Sequence, residues 1–302
     1  VLHPTKMVVI GGGTTGLEAA ATAAEIGVSV ELYEQKDYLG GLGHEIARFP
    51  DKQRIDDFIT YQINRCKELD NLSIHMNHAA TMEEIKASAP DVIVNATGAK
   101  PLLPPIKGLH EQLENPERRV YSIADLLGNM DQFQAFEGKE VVVIGGGAVG
   151  LDVVEYYAER GAKKVSIVEM QGELGKDLDM ITKLSMMEIV RDYEVQVHTS
   201  TKLMEVKESS FVVEKDGTIM KLPFDLGFVC LGMKAEAPLI RELDRYAREN
   251  GSVLLNIGDS KVARRIMEGT REARDVLKTL EVLETTRTQK QLYEQTKSLQ
   301  KL

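Results

Sequence analysis

Lys6-Met7-Val8-Val9-Ile10-Gly11-Gly12-Gly13-Thr14-Thr15-Gly16-Leu17 decides the reading of this chain. Its first five residues have the apolar, β-branched composition of a short buried strand. A glycine-rich turn follows. Residues 17–26 are alanine-rich and read as a helix, which Gly27 ends. Residues 29–33 read as the next strand, closed by Glu34, and Gln35 after it joins the expected cofactor-binding set. About 130 residues on, the pattern returns: a strand over 140–144, then Gly145-Gly146-Gly147-Ala148-Val149-Gly150, a helix over 151–160 stopped by Gly161, a strand over 164–168, and Glu169.

One such turn is weak evidence. Two copies, each between strand and helix and each followed by a glutamate at the end of the next strand, make a dinucleotide fingerprint. The glutamates lie 18 residues after Gly16 and 19 after Gly150. Gly11 and Gly145 make the tight turn. Gly13 and Gly147 lack a Cβ, so the backbone can approach a diphosphate. Gly16 and Gly150 let helix and strand pack closely. The helix starts, Thr14 and Thr15 in one copy and Ala148 and Val149 in the other, offer unpaired amides to the phosphates. Glu34 and Glu169 are expected to accept hydrogen bonds from a ribose diol. A 2′-phosphate beside Glu169 would be repelled by a few kcal/mol, at ~4 Å and an effective dielectric constant near 20. NADH is therefore expected over NADPH.

The remaining segments fit around these two copies. Residues 54–69 read as a helix and 91–95 as a buried strand ending in Ala96-Thr97-Gly98, where the chain can pass close to a ligand. Pro101, Pro104 and Pro105 suit neither helix nor central strand and mark a stiff crossover. Residues 194–198, 202–207, 211–215 and 221–223 read as a meander, with a hairpin turn at Asp216-Gly217. Another strand covers 228–231, and 253–257 leads into Gly258-Asp259, with a helix from about Ala263. Asp259 reads as a ligand for the ribityl hydroxyls of a flavin or, equally, as the N-cap of the next helix, and Gly41 and Leu42 fall in a loop over the same cofactor. Gly232 completes the cofactor-binding set. Residues 285–302 read as a polar surface helix lying on its own domain, with Leu292, Leu299 and Leu302 about a heptad apart.

Bulk properties bound the function. The 302 residues allow two domains, and 43% hydrophobic with 28% charged residues suits a soluble globular protein. A net charge of −10 disfavours nucleic acid as a partner but not nucleotides, whose phosphates backbone amides can hold. The apolar runs 7–10 and 141–144 are too short to cross a membrane, and no leader segment is legible. The opening Val1-Leu2-His3-Pro4-Thr5 runs straight into a core strand without an initiating Met, so a piece of a longer protein is expected. Cys66 and Cys230 form no CxxC pair, which excludes a disulfide reductase of the thioredoxin-reductase type and suits a reducing cytoplasm. No catalytic residues or metal ligands are assigned, and His44 takes no role.

Six segments occur in order: residues 7–20, Leu39-Gly40-Gly41, Asn95-Ala96-Thr97-Gly98-Ala99, Val143-Ile144-Gly145-Gly146-Gly147, Cys230-Leu231-Gly232-Met233-Lys234 and Asn256-Ile257-Gly258-Asp259. This layout resembles two-dinucleotide-binding-domain flavoproteins. Gly232-Met233-Lys234 and Arg264-Arg265-Ile266-Met267-Glu268-Gly269 make it most similar to the C-terminal half of the Old yellow enzyme-like NADH:flavin oxidoreductases, the group of 2,4-dienoyl-CoA reductase, 2-enoate reductase and trimethylamine dehydrogenase. The resemblance implies an FMN-bearing barrel and a four-iron cluster ahead of these domains, with electrons passing from NAD(P)H through FAD to the cluster and FMN. Thr14-Thr15 stands where that family usually has Pro-Ala, and Asp259-Ser260 where it has Asp-Cys. The expected architecture is α/β, with two Rossmann-like lobes and the second inserted into the first. Residues 1–108 and 236–302 would hold FAD and 118–235 would hold NADH, with hydride transfer between the cofactors. The alternative is a non-catalytic scaffold with ADP in the first lobe.

Overall fold

The computed structural model describes residues 1–134 and 137–299. The chain forms two compact units: Val1–Ala99 with Lys234–Leu302, and the intervening Lys100–Met233. The second is inserted into the first. Its ends lie at 100 and 233, where the sequence had suggested 118 and 235. The three prolines expected at a crossover sit just inside it.

In the first unit the chain runs β1 (Lys6–Ile10), α1 (Thr14–Glu25), β2 (Ser29–Tyr33), α2 (Leu42–Ile46), α3 (Arg54–Lys67), β3 (Leu72–His75), α4 (Met82–Ser88) and β4 (Val92–Asn95), leaving along β5 (Ala99–Pro101). The second unit contains α5 (Leu109–Glu114), β6 (Val120–Ser122), α6 (Ile123–Gly128), β7 (Glu140–Ile144), α7 (Ala148–Glu159), β8 (Lys164–Val168), α8 (Met180–Asp192), β9 (Gln196–His198), β10 (Lys202–Lys207), β11 (Ser210–Lys215), β12 (Thr218–Pro223) and β13 (Leu226–Val229). The return passes β14 (Met233–Ala235), α9 (Ile240–Asn250), β15 (Val253–Asn256), α10 (Ile266–Arg274) and α11 (Val276–Leu299).

Each unit is built on a five-stranded sheet, ordered β15-β4-β1-β2-β3 in the first and β6-β13-β7-β8-β9 in the second. All pairings in both are parallel. A parallel sheet covered on both faces needs continuously apolar strands, and Met7–Ile10 and Val141–Ile144 are buried along their whole length. On α1 the buried Ala19, Ala20, Ala23 and Ala24 let the helix axis approach the sheet, where they pack with Val9, Val30, Leu32 and Val94. Each fully buried Val or Leu contributes about 1.5–3 kcal/mol.

Three details differ from the sequence reading. Both fingerprint helices start three residues earlier, at Thr14 and Ala148. Residues 196–198 leave the meander and form the parallel edge strand β9 beside β8. Glu194, with φ 50°, takes the left-handed conformation and stops the strand from starting there. The remaining meander is the antiparallel β10-β11-β12, turned where expected, by Asp216 and Gly217 at φ 50° and 77°. Finally, α10 starts at Ile266 rather than near Ala263, because the Arg264 N–H donates to Asp259 Oδ1 at 3.0 Å and Arg265 is extended.

The terminal helix is one continuous element from Val276. Its first turns are anchored by buried Val276 and Leu280, and Arg287 reaches Thr5 and Asp91. Residues 291–298 are all exposed. Over residues 285–299 the expected surface helix is the outer part of α11; residues 300–302 lie outside the described residues, and so does the Leu299 side chain. Among the described residues no helix is long and apolar enough to cross a membrane.

Candidate dinucleotide sites

Both sites are built the same way. In the first unit, Gly11 has φ 103°, and a Cβ there would lie 2.3 Å from the Ala96 carbonyl oxygen. In the second, Gly145 has φ 106°, and its Cβ would lie 2.1 Å from the Cys230 oxygen. No other residue type fits either turn. The third glycines close the first helical turn onto the loop: a Cβ on Gly16 would stand 1.9 Å from the Gly11 oxygen, and one on Gly150 1.8 Å from the Gly145 oxygen. The middle glycines behave differently. Around Gly13 the nearest atom to a Cβ is the Gly41 Cα at 4.0 Å, so the space above that residue is open.

The helix starts are left available. Gly13 and Gly147 are the N-caps of α1 and α7 and offer no side-chain cap, and neither first turn holds an acidic residue. By contrast Thr81, Ser122 and Asp179 cap α4, α6 and α8 with their side chains. The first-turn amides of α1 and α7 therefore remain for an anion, which the helix dipole also favours.

The two glutamates are fixed from three sides. Glu34 is 6% exposed; its carboxylate accepts from the Gly12 N–H at 2.7 Å and the Lys36 N–H at 2.8 Å. Its main chain bonds to His75 and His78. Glu169 repeats this: its carboxylate accepts from Gly146 N–H at 2.6 Å and Gln171 N–H at 2.7 Å, and its main chain bonds to His198 and Thr201. Each carboxylate has about four acceptor sites and spends one per oxygen on the backbone, so capacity for a diol remains. Gln35 is exposed beside Glu34.

The repeat runs further than the fingerprints. Leu39 follows Glu34 by five residues, as Leu174 follows Glu169, and each packs against the second glycine of its loop. The next residue, Gly40 or Gly175, donates to the carbonyl of Gly12 (2.8 Å) or Gly146 (2.7 Å). Gly41 and Leu42 therefore belong to a segment pinned on the fingerprint loop, with Leu42 the first residue of α2. Likewise Ala96-Thr97-Gly98 in the first unit corresponds to Cys230-Leu231-Gly232 in the second, with Gly98 at φ 82° and Gly232 at φ 93°. The shared spacing was the signal in the sequence that could have revealed these pairs.

Gly258 and Asp259 form a single helical turn after β15. A Cβ on Gly258 would lie 2.7 Å from Thr15 Oγ1, which places the turn against the start of α1. Burial pushes the Asp259 carboxyl up, and the Arg264 amide and guanidinium only partly oppose this. Two side chains not foreseen from the sequence hold the return segment here. Glu272 accepts from the Gly258 N–H at 2.8 Å and pairs with Arg264 at 2.7 Å. Glu18 on α1, its side chain 2% exposed, binds Arg65 of α3 at 3.0 Å and Arg274 of α10 at 2.7 Å. Burial raises the Glu18 carboxyl, but Arg274, Gln62 and Arg65 together outweigh it and leave it below the usual range.

Cys66 and Cys230 are free and buried. Burial pushes their thiols up to about 11 and about 12, which leaves neither as a thiolate near neutrality.

The family model described as pyridine nucleotide-disulphide oxidoreductase matches residues 1–68 and 66–257, and the chain belongs to that family. The chain is 33% identical over 259 residues to an NADH oxidase of Thermoanaerobacter brockii, covering 84% of this chain and 38% of that protein. It is 32% identical over 229 residues to a bilirubin reductase of Mediterraneibacter gnavus, covering 76% and 34%. The structure of a 2-naphthoyl-CoA reductase in complex with 2-naphthoyl-CoA superposes with a TM-score of 0.76 at 25% identity, covering 90% of this chain and 39% of that one. The chain thus spans well under half the length of these relatives. The chain has two cysteines, Cys66 in the first unit and Cys230 in the second.

Proposed function

We propose that this member of the pyridine nucleotide-disulphide oxidoreductase family is an electron-input module that takes electrons from NADH onto FAD. The first unit would hold FAD and the second NADH. The observation carrying this reading is the duplicated loop, with an open helix start and a backbone-clamped glutamate in each copy. When bound, the two cofactors supply hydride transfer from the reduced nicotinamide to the flavin, and the protein binds and orients them. Gly11, Gly13, Thr14, Thr15 and Gly16 would cradle the FAD diphosphate, and Glu34 with Gln35 the adenosine ribose. Gly41, Leu42 and Ala96-Thr97-Gly98 would line the path to the flavin, and Gly258-Asp259 would meet the ribityl chain. Gly145, Gly147, Ala148, Val149 and Gly150 would cradle the NADH diphosphate, Glu169 its ribose, and Gly232 its other side. Glu169 favours NADH over NADPH, because a 2′-phosphate would lie beside a carboxylate already fixed in place. No acid–base pair is needed for a direct hydride transfer, and none is assigned.

The coverage of about two-fifths of each relative supports a place within a longer protein. Its electrons would then leave through an iron-sulfur cluster to FMN on a barrel domain, as the resemblance implies. The location we favour is the cytoplasm, on the two unpaired cysteines.

A second reading, a scaffold with ADP alone in the first unit, is favoured by the Thr14-Thr15 and Asp259-Ser260 departures. The two are separated by denaturing the purified protein and identifying what it releases. About one FAD per chain supports the electron-input role; ADP without flavin would replace it with the scaffold.

A further inference from the structure

The internal repeat breaks just after the Gly40/Gly175 position, beside the fingerprint loop. After Gly40 the first unit continues Gly41-Leu42; after Gly175 the second continues Lys176-Asp177. In the first unit the open side of Gly13 is bounded by a glycine Cα, 4.0 Å from where a Cβ would stand. In the second, both carboxylate oxygens of Asp177 lie 3.6 Å from the equivalent point on Gly147. Asp177 is exposed and has no ion-pair partner among the described residues. The cation beside it, Lys176, acts on Glu173, which is also paired with Lys183 at 2.7 Å.

We infer that Asp177 is a specificity-determining residue that weakens the grip of the second loop on a diphosphate, so that this nucleotide exchanges while that of the first unit is retained. The inference rests on the reading that the Gly145–Gly150 loop carries the NADH diphosphate. The physics is short-range repulsion between an exposed carboxylate and an anion held at the Gly147 backbone. In the first unit Gly41 offers no charge at that point. An electron donor must leave after each turnover, whereas a resident cofactor must not, and the asymmetry has the sign those two roles require.

The test is an NADH titration of the full chain, followed by fluorescence, for wild type, Asp177→Asn and Gly147→Leu at low and high salt. Asp177→Asn removes the charge at nearly constant volume. It should bind NADH about fivefold more tightly at low salt, the size expected for one exposed charge near ~4 Å. The gain should shrink towards unity at ~1 M salt, where the screening length is about 3 Å. Flavin retention should not change. Gly147→Leu should abolish NADH binding. If Gly147→Leu abolishes binding but Asp177→Asn matches wild type or binds more weakly, Asp177 does not act by repulsion and the inference is overturned while the loop reading stands. If Gly147→Leu binds NADH like wild type, the loop reading falls and takes the inference with it.

Discussion

Gly13→Ala and Gly16→Ala should separate ligand binding from folding. At Gly16 the added methyl would stand 1.9 Å from the Gly11 oxygen, a backbone atom that cannot swing away. Loop and helix would have to part by more than an ångström, an overpacking cost of about 1–3 kcal/mol. At Gly13 the methyl would point into open space, with nothing nearer than 4.0 Å, and the backbone (φ −72°, ψ 179°) suits alanine. Alanine there removes unfolded-state freedom worth about 0.4–1 kcal/mol, but it is a poorer N-cap than glycine by a similar amount. The ligand-free stability of Gly13→Ala should therefore stay within about 1 kcal/mol of wild type. The same methyl would occupy the approach of the diphosphate, and a misfit of about 1–3 kcal/mol weakens FAD roughly 5- to 150-fold. Urea denaturation of the flavin-free proteins measures the first quantity, and flavin titration by fluorescence quenching the second. A stable Gly13→Ala protein that retains FAD at wild-type affinity would refute the placement of the diphosphate.

Further outcomes follow from other contacts. Glu169→Gln should narrow the preference for NADH over NADPH by at least about tenfold, read from the two Kd values, because the repulsion of a 2′-phosphate is removed. An unchanged ratio would mean that Glu169 does not face the ribose. Glu18→Gln should cost about 2–4 kcal/mol in urea unfolding, since Arg65 and Arg274 lose a buried partner. The Glu18 carboxyl is depressed in the folded state, so its contribution is present above the unfolded carboxylate range and is lost as pH falls through its lowered value. The acid-induced loss of stability should be smaller in Glu18→Gln, and an identical acid profile would count against the triad. Neither thiol should react with a disulfide reagent at pH 8 in the folded protein, because burial holds them at about 11 and about 12. Fast labelling of Cys66 or Cys230 before unfolding would contradict their burial.

The sheets and fingerprint loops were legible because parallel strands buried on both faces are continuous apolar runs, and because glycine is demanded wherever a backbone carbonyl stands about 2 Å from a would-be Cβ. The strand over 194–198 was misplaced for want of local information. Its apolar pattern suits a meander and a parallel edge equally, and only Glu194 at φ 50° and the pairing with β8 decide between them. The start of α10 was missed because Ala263-Arg264-Arg265 has good helix propensity, yet a contact from Asp259 captures the amide of Arg264. Glu18 and Glu272 were invisible for a related reason. A carboxylate in a helix is a surface residue by default; the arginines that bury Glu18 come from elsewhere in the chain, Arg274 lying 256 residues away, and Glu272 is held by Gly258 and Arg264 of the turn before its own helix. The extension of the repeat through Leu39-Gly40 and Leu174-Gly175 was available in the spacing alone.

Electron transfer from NADH to a bound flavin is read directly from the visible absorbance of the purified chain under anaerobic conditions, before and after NADH. The purified protein should be yellow with the visible absorption of an oxidised flavin, bleach on addition of NADH and regain its colour in air. A colourless protein, or a yellow one that NADH leaves unchanged, would contradict it.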